Sequence, residues 1–295
     1  MRKVDVVGVD GSQAAMEAVR WAAEDAALHR VPLRLVCAVP YGVNDAAAPS
    51  ISQDTLEVIE NERHRRLSQA VTTAAAVAGD VEITQEVRHA KPAAVLVEES
   101  TRARRVVVGT RGLGDATGVK LALGSTAETL AMRAACPVVV VPVRGGPKPA
   151  ERSLPIIVGV DGSPVSEPAL AVAFAEATVR RAPLTAVHVW SDDAIDEWFD
   201  LDADRDWGSI EAKEGMALAE RLAGWQEEYP DVQVERVVER DRPVRFLVLR
   251  GARAQLIVVG SRGRGGVTGM MLGSTSRALL HAAPCPVLVV RAETG

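Results

Sequence analysis

The chain has 295 residues, 47% apolar and 25% charged, with a formal net charge of −5 at pH 7. That length holds two domains of ordinary size, each with a core of its own, and aromatics at 3% leave those cores to Val, Ala and Leu. A net negative chain argues against DNA or RNA as a main partner, and no apolar run approaches membrane-spanning length.

Taken in chain order, Met1-Arg2-Lys3-Val4-Asp5 leads straight into a strand, Val4 to Val9, without an apolar leader core, and the expected location is the cytoplasm. Ala14 to Leu28 has helical spacing, Leu33 to Val39 reads as a strand, and Leu56 to Val77 as a long helix. The exposed face of that helix is expected to carry Glu60, Glu62, Arg63, Arg65 and Arg66. A third strand spans Val81 to Val87, Pro92 opens a helix where proline is tolerated, and Arg105 to Gly109 is a fourth strand. A helix from Gly124 to Ala134 and a strand from Pro137 to Val141 close the first half.

The second half repeats the order: Ile156 to Val160, Glu167 to Val179, Leu184 to Trp190, Glu211 to Gln226, Val232 to Val238, Pro243 to Ala252, Leu256 to Gly260, Ser274 to His281 and Val287 to Val290. Strands alternating with helices predict an α/β fold in each half, with a right-handed, doubly wound parallel sheet. The stretch Arg144 to Ala150 has a linker's Pro and Gly content, which sets the expected domains at 1–146 and 147–295.

The halves share more than their order. Val7-Gly8-Val9-Asp10-Gly11-Ser12 returns as Val158-Gly159-Val160-Asp161-Gly162-Ser163, and Val107-Val108-Gly109-Thr110-Arg111-Gly112 returns as Val258-Val259-Gly260-Ser261-Arg262-Gly263. Both pairs are offset by 151 residues, so whole domains were duplicated.

Ligands of open α/β sheets bind beyond the carboxyl ends of the strands, and Asp10, Asp161, Gly109 and Gly260 stand at such ends. After Gly263, nine residues lead to Gly273-Ser274-Thr275 at a helix start. Glycines that let backbone N–H groups approach an anion, followed by a helix N-terminus, make a phosphate cradle. The plain alternative is a turn followed by an ordinary helix cap. No G-x-x-x-x-G-K-[ST] occurs, and Gly263-Arg264-Gly265 follows a fourth strand where a dinucleotide fingerprint follows a first.

The strand-ending Val-Gly-Val-Asp-Gly-Ser, the Gly-x-x-Gly-x9-Gly-Ser/Thr loop and the closing Cys-Pro-Val strand together resemble the universal stress protein family in its tandem two-domain form. The resemblance implies two Rossmann-like domains of the adenine nucleotide alpha hydrolase type, each a five-stranded parallel sheet with helices on both faces, and ATP binding with Mg²⁺. It implies that Asp161 lies near ribose and adenine, that Val189 offers backbone contacts to adenine, and that Val259, Gly260, Gly263, Gly273, Ser274 and Thr275 hold ribose and phosphates. In the first half the matching residues are Asp10, Ala38, Val108, Gly109, Gly112, Gly124, Ser125 and Thr126. The expected function is that of a nucleotide-dependent stress-response regulator. Slow ATP hydrolysis or phosphoryl transfer and a nucleotide-free interaction scaffold are the alternatives. The expected partners are an unidentified protein and a second copy of the fold, as a pseudo-dimer of the halves or a homodimer.

Eleven residues, Leu113 to Leu123, separate Gly112 from Gly124, two more than in the second half, which makes the second site the expected stronger one; Lys120 lies in that stretch. Asp200, Asp202, Asp204, Asp206 and Glu211 have calcium-loop spacing, but Arg205 replaces the required glycine, so Asp192 to Asp206 reads as a solvated loop. Cys37, Cys136 and Cys285 fit no disulfide or zinc spacing and read as buried, as does His188 in its strand.

Overall fold

The computed structural model describes residues 3–39, 52–112, 123–143, 153–163, 166–190, 207–263 and 272–291. The chain divides into two compact units, the first built on residues 1–146 and the second opening at Pro147. Lys120, the linker and the Asp192 to Asp206 stretch lie outside the described residues.

The first unit runs β1 (Val4–Gly8), α1 (Gln13–His29), β2 (Leu33–Val39), α2 (Gln53–Val77), β3 (Ile83–His89), α3 (Pro92–Ser100), β4 (Ala103–Gly109), α4 (Ser125–Arg133) and β5 (Val138–Val141). Its strands lie in the order β3-β2-β1-β4-β5 and pair in parallel, Val6 against Arg34 on one side and Val106 on the other. The order reverses between β1 and β4, which opens a crevice at their carboxyl ends. Helix α1 packs with α2, and α3 with α4, as two layers flanking a sheet.

The second unit repeats the plan with β6 (Ile156–Gly159), α5 (Glu167–Arg180), β7 (Leu184–Trp190), α6 (Trp207–Glu228), β8 (Val234–Arg240), α7 (Pro243–Gly251), β9 (Leu256–Gly260), α8 (Ser274–Ala282) and β10 (Val287–Val290). Its order is β10-β9-β6-β7-β8, with the matching reversal between β6 and β9. Central strands covered on both faces need apolar side chains throughout. Val6, Val7, Val106, Val107, Ile156, Val158, Leu256 and Ile257 are accordingly fully buried. Each such side chain contributes about 1.5–3 kcal/mol by leaving water.

Several details depart from the sequence expectations. Helix α2 begins three residues early because Ser52 Oγ accepts the Thr55 N–H at 3.3 Å and caps it. Helix α6 begins at Trp207 rather than Glu211, where Trp207 stacks on Trp190 at 5.9 Å beneath the Arg240 guanidinium, 3.6 Å from the ring centroid. Arg63 is not on an exposed face but only 8% exposed, against Glu60 at 2.6 Å, and Arg66 is half-buried.

The duplication extends to strained backbone. Helices α1 and α5 both end on an arginine in the left-handed region, Arg30 at φ 54° and Arg181 at φ 50°. This conformation lets Ala182 N–H return to the Ala177 carbonyl at 3.0 Å, as Val31 N–H returns to Ala26.

One feature is not duplicated. In the first unit Asp5 and Asp25, both fully buried, meet Arg104, whose Nε donates to Asp5 Oδ1 at 2.8 Å and whose Nη2 donates to Asp25 Oδ2 at 2.6 Å. Arg105 stands 3.1 Å from the same Asp25 oxygen. At the matching positions of Asp5, Arg104 and Arg105 the second unit has Ile156, Gln255 and Leu256.

Candidate functional site

Each site is built on a turn. Gly11, at φ 85°, reverses the chain after β1, and the Asp10 Oδ1 accepts the Ser12 N–H at 2.9 Å. Ser12 Oγ accepts the Ala15 N–H at 3.1 Å, starting α1, and donates to the Arg111 carbonyl at 3.3 Å, tying the turn to the loop after β4. In the second unit Gly162 has φ 79°, and Asp161 Oδ1 accepts from Ser163 N–H at 3.0 Å and Ser163 Oγ at 2.7 Å. One carboxylate oxygen therefore caps the turn that follows it. The other faces the glycine loop: a Cβ on Gly263 would stand 2.5 Å from Asp161 Oδ2, and one on Gly112 would collide with Asp10 Oδ2.

The loops end in helices that lack a side-chain cap. Gly124 is the N-cap of α4 and Gly273 that of α8, and neither has a side-chain oxygen to accept the first-turn N–H groups. Backbone bonds from Gly124 N–H to the Thr110 carbonyl at 2.8 Å and from Gly273 N–H to Ser261 at 2.7 Å hold each helix start beside its strand end. Ser276 Oγ adds a 2.6 Å bond to the Gly260 carbonyl. The result is a helix N-terminus aimed into the crevice, which favours an anion by dipole and by N–H donors.

Two cavities follow. The first, about 510 Å³, is lined by all eight residues singled out in that half: Asp10, Ala38, Val108, Gly109, Gly112, Gly124, Ser125 and Thr126. The second, about 480 Å³, is lined by Asp161, Val189, Val259, Gly260, Gly263, Gly273, Ser274 and Thr275. Both volumes are in the range of small-ligand sites.

Sequence reasoning missed part of each wall. Pro92 and Leu96 close the first cavity and Pro243 and Leu247 the second, equivalent residues one helical turn apart on α3 and α7. Their recurrence at the same offset was a usable signal. Arg111 and Arg262 also line their cavities. Arg66 lines the first, reaching from α2 to donate through Nη1 to the Asp10 carbonyl at 2.9 Å. Nothing in the helix's charge pattern marked it apart from its solvated neighbours.

Behind the walls lie the groups expected to be buried. His188, 3% exposed, has Nδ1 2.7 Å from the Val160 carbonyl and Nε2 3.0 Å from Glu214 Oε2. A carbonyl only accepts, so Nδ1 carries a hydrogen. The first unit has Cys37 there, its thiol pushed up by burial against the pull of Arg66 and Arg63. Burial likewise pushes the Cys136 thiol up to about 12, and Cys285 is also buried. Among the described residues no helix is long and apolar enough to cross a membrane.

Comparison with known proteins extends over both halves. The model of the Universal stress protein family matches residues 1–142 and 154–291. A universal stress protein of Mycobacterium tuberculosis is 45% identical over 97% of this chain and 96% of its own, and one of Mycolicibacterium smegmatis is 43% identical over the same shares. The crystal structure of a universal stress protein from Archaeoglobus fulgidus superposes with a TM-score of 0.70 at 18% identity, covering 99% of this chain and 97% of that one, a likeness of fold.

Proposed function

The chain belongs to the universal stress protein family, and on that premise we propose that each of its domains, 1–146 and 147–295, binds one adenine nucleotide, ATP, in the cavity at its strand ends. The observation that carries the reading is the pairing, twice over, of an uncapped helix N-terminus with a carboxylate whose second oxygen faces the glycine loop. The helix end suits phosphates, and a carboxylate suits ribose hydroxyls or an adenine amino group. Apolar walls such as Val36, Leu96 and Val108, or Val187, Leu247 and Val259, suit a purine. Ser125, Thr126, Ser274 and Thr275 supply hydroxyls at the phosphate end.

Each described lining holds a single carboxylate, so Mg²⁺ would sit mainly on phosphate oxygens, with few protein ligands. Bound nucleotide bridges the β1 turn and the α4 start, or their counterparts, and thereby stiffens two elements that otherwise meet through few bonds. That change is what a partner protein would read in a cytoplasmic stress response. The test is mass spectrometry of small molecules released from purified, denatured protein, with calorimetry of ATP added to stripped protein. ATP in the extract and two binding events are expected; an empty extract with no heat of binding overturns the reading.

A further inference from the structure

Among their described lining residues, the two cavities differ in one charged residue that duplication did not preserve. Arg66 lines the first cavity, with Nε on Glu62 Oε1 at 3.0 Å and Nη1 on the Asp10 carbonyl, and among the described residues its Nη2 has no partner. The second unit's counterpart stands one helical turn further along α6. Arg221 spends Nη1 on the Ser163 carbonyl at 3.4 Å and Glu167 Oε1 at 3.3 Å, and Nη2 on the Gly162 carbonyl, and it does not line its cavity. The described lining of the first cavity therefore sets two guanidiniums, Arg66 and Arg111, against one carboxylate, whereas in the second Arg262 alone faces Asp161.

A second difference runs the other way. Glu128 stands in the first turn of α4, where α8 has Arg277. Neither side chain lines its cavity, and Arg277 is exposed, where water and salt screen it, while Glu128 is half-buried. A guanidinium in the wall acts at contact distance, where screening is least.

We propose that Arg66 is a ligand-facing cation of the first cavity and makes anion binding there the more charge-driven, and more salt-sensitive, of the two. This rests on the nucleotide reading of the cavities.

The test uses the full chain with one cavity closed at a time, by Gly263→Val or Gly112→Val, each checked for fold by circular dichroism. ATP affinity is measured by calorimetry from 50 to 300 mM NaCl. The protein with only its first cavity open should lose about three- to tenfold more affinity across that range than the protein with only its second open. Arg66→Gln should remove that excess and Arg66→Lys should keep it. A merely structural Arg66 would weaken binding in proportion at every salt concentration. If a closed-cavity variant fails to fold, Arg66→Gln in the otherwise unaltered chain should still flatten the salt dependence of one of two binding events. Equal salt dependence, or a steeper one in the second cavity, overturns the proposal and leaves the nucleotide reading standing. No ATP binding at all overturns both.

Discussion

Asp161 and Gly263 compete for one volume: the Oδ2 of the aspartate lies 2.5 Å from where a Cβ on the glycine would stand. Asp10 and Gly112 repeat the relationship in the first unit, so the carboxylate and the loop are in place only together. Gly263→Ala should push the Asp161 carboxylate aside and weaken ATP at the second cavity about tenfold or more, with the first unaffected. Calorimetry would show one of the two events weakened and the other unchanged, and Gly112→Ala on top should weaken both.

The buried ion cluster of the first unit should be costly to break and cheap to replace. Arg104→Ala leaves Asp5 buried without its bidentate partner and should destabilise that unit by about 3 kcal/mol, read from urea denaturation. Adding Asp5→Ile, the residue the second unit uses as Ile156, should recover much of that loss.

Burial, the largest cause, raises the Asp5 carboxyl from its ordinary value against the pull of Arg104 and Arg105. A raised acid binds its proton more tightly folded than unfolded, so the stability tied to protonation is complete below the ordinary value of 3.8 and is lost as pH rises through the raised one. Asp5→Asn does not titrate. The stability of the parent protein relative to this variant should therefore rise as pH falls from 7 toward 4; a constant difference would show that Asp5 is unperturbed.

Arg181 closes α5 at φ 50°, a conformation that costs a side-chain-bearing residue energy and glycine almost none. Arg181→Gly should stabilise the second unit by about 0.5–1 kcal/mol after the entropy that glycine adds to the unfolded chain. Thermal denaturation would register it as a raised midpoint.

The alternation of Val-rich runs with helical spacing made the two α/β units legible, because a doubly wound sheet buries its central strands on both faces. That the singled-out residues line the two cavities was legible mainly through glycines and turn carboxylates, which leave their mark in local sequence. What escaped depends on neighbours distant in the chain. Trp207 extends α6 by stacking on Trp190 and under Arg240, and Arg66 turns inward because the Asp10 carbonyl is there to receive it. A helix's own charge pattern holds no record of such partners.

The Trp190 and Trp207 pair also has an optical consequence. Trp190 follows Val189, a wall residue of the second cavity, while the first unit carries Val39 at the same place, and among the described residues no tryptophan lines either cavity. A ligand seated against Val189 would perturb an indole pair next door, and among the described residues the first cavity has no such pair beside it. If both cavities bind nucleotide, emission from the stack would follow one of them while heat of binding counts both, and the two signals recorded together would separate sites that sequence duplication made nearly alike.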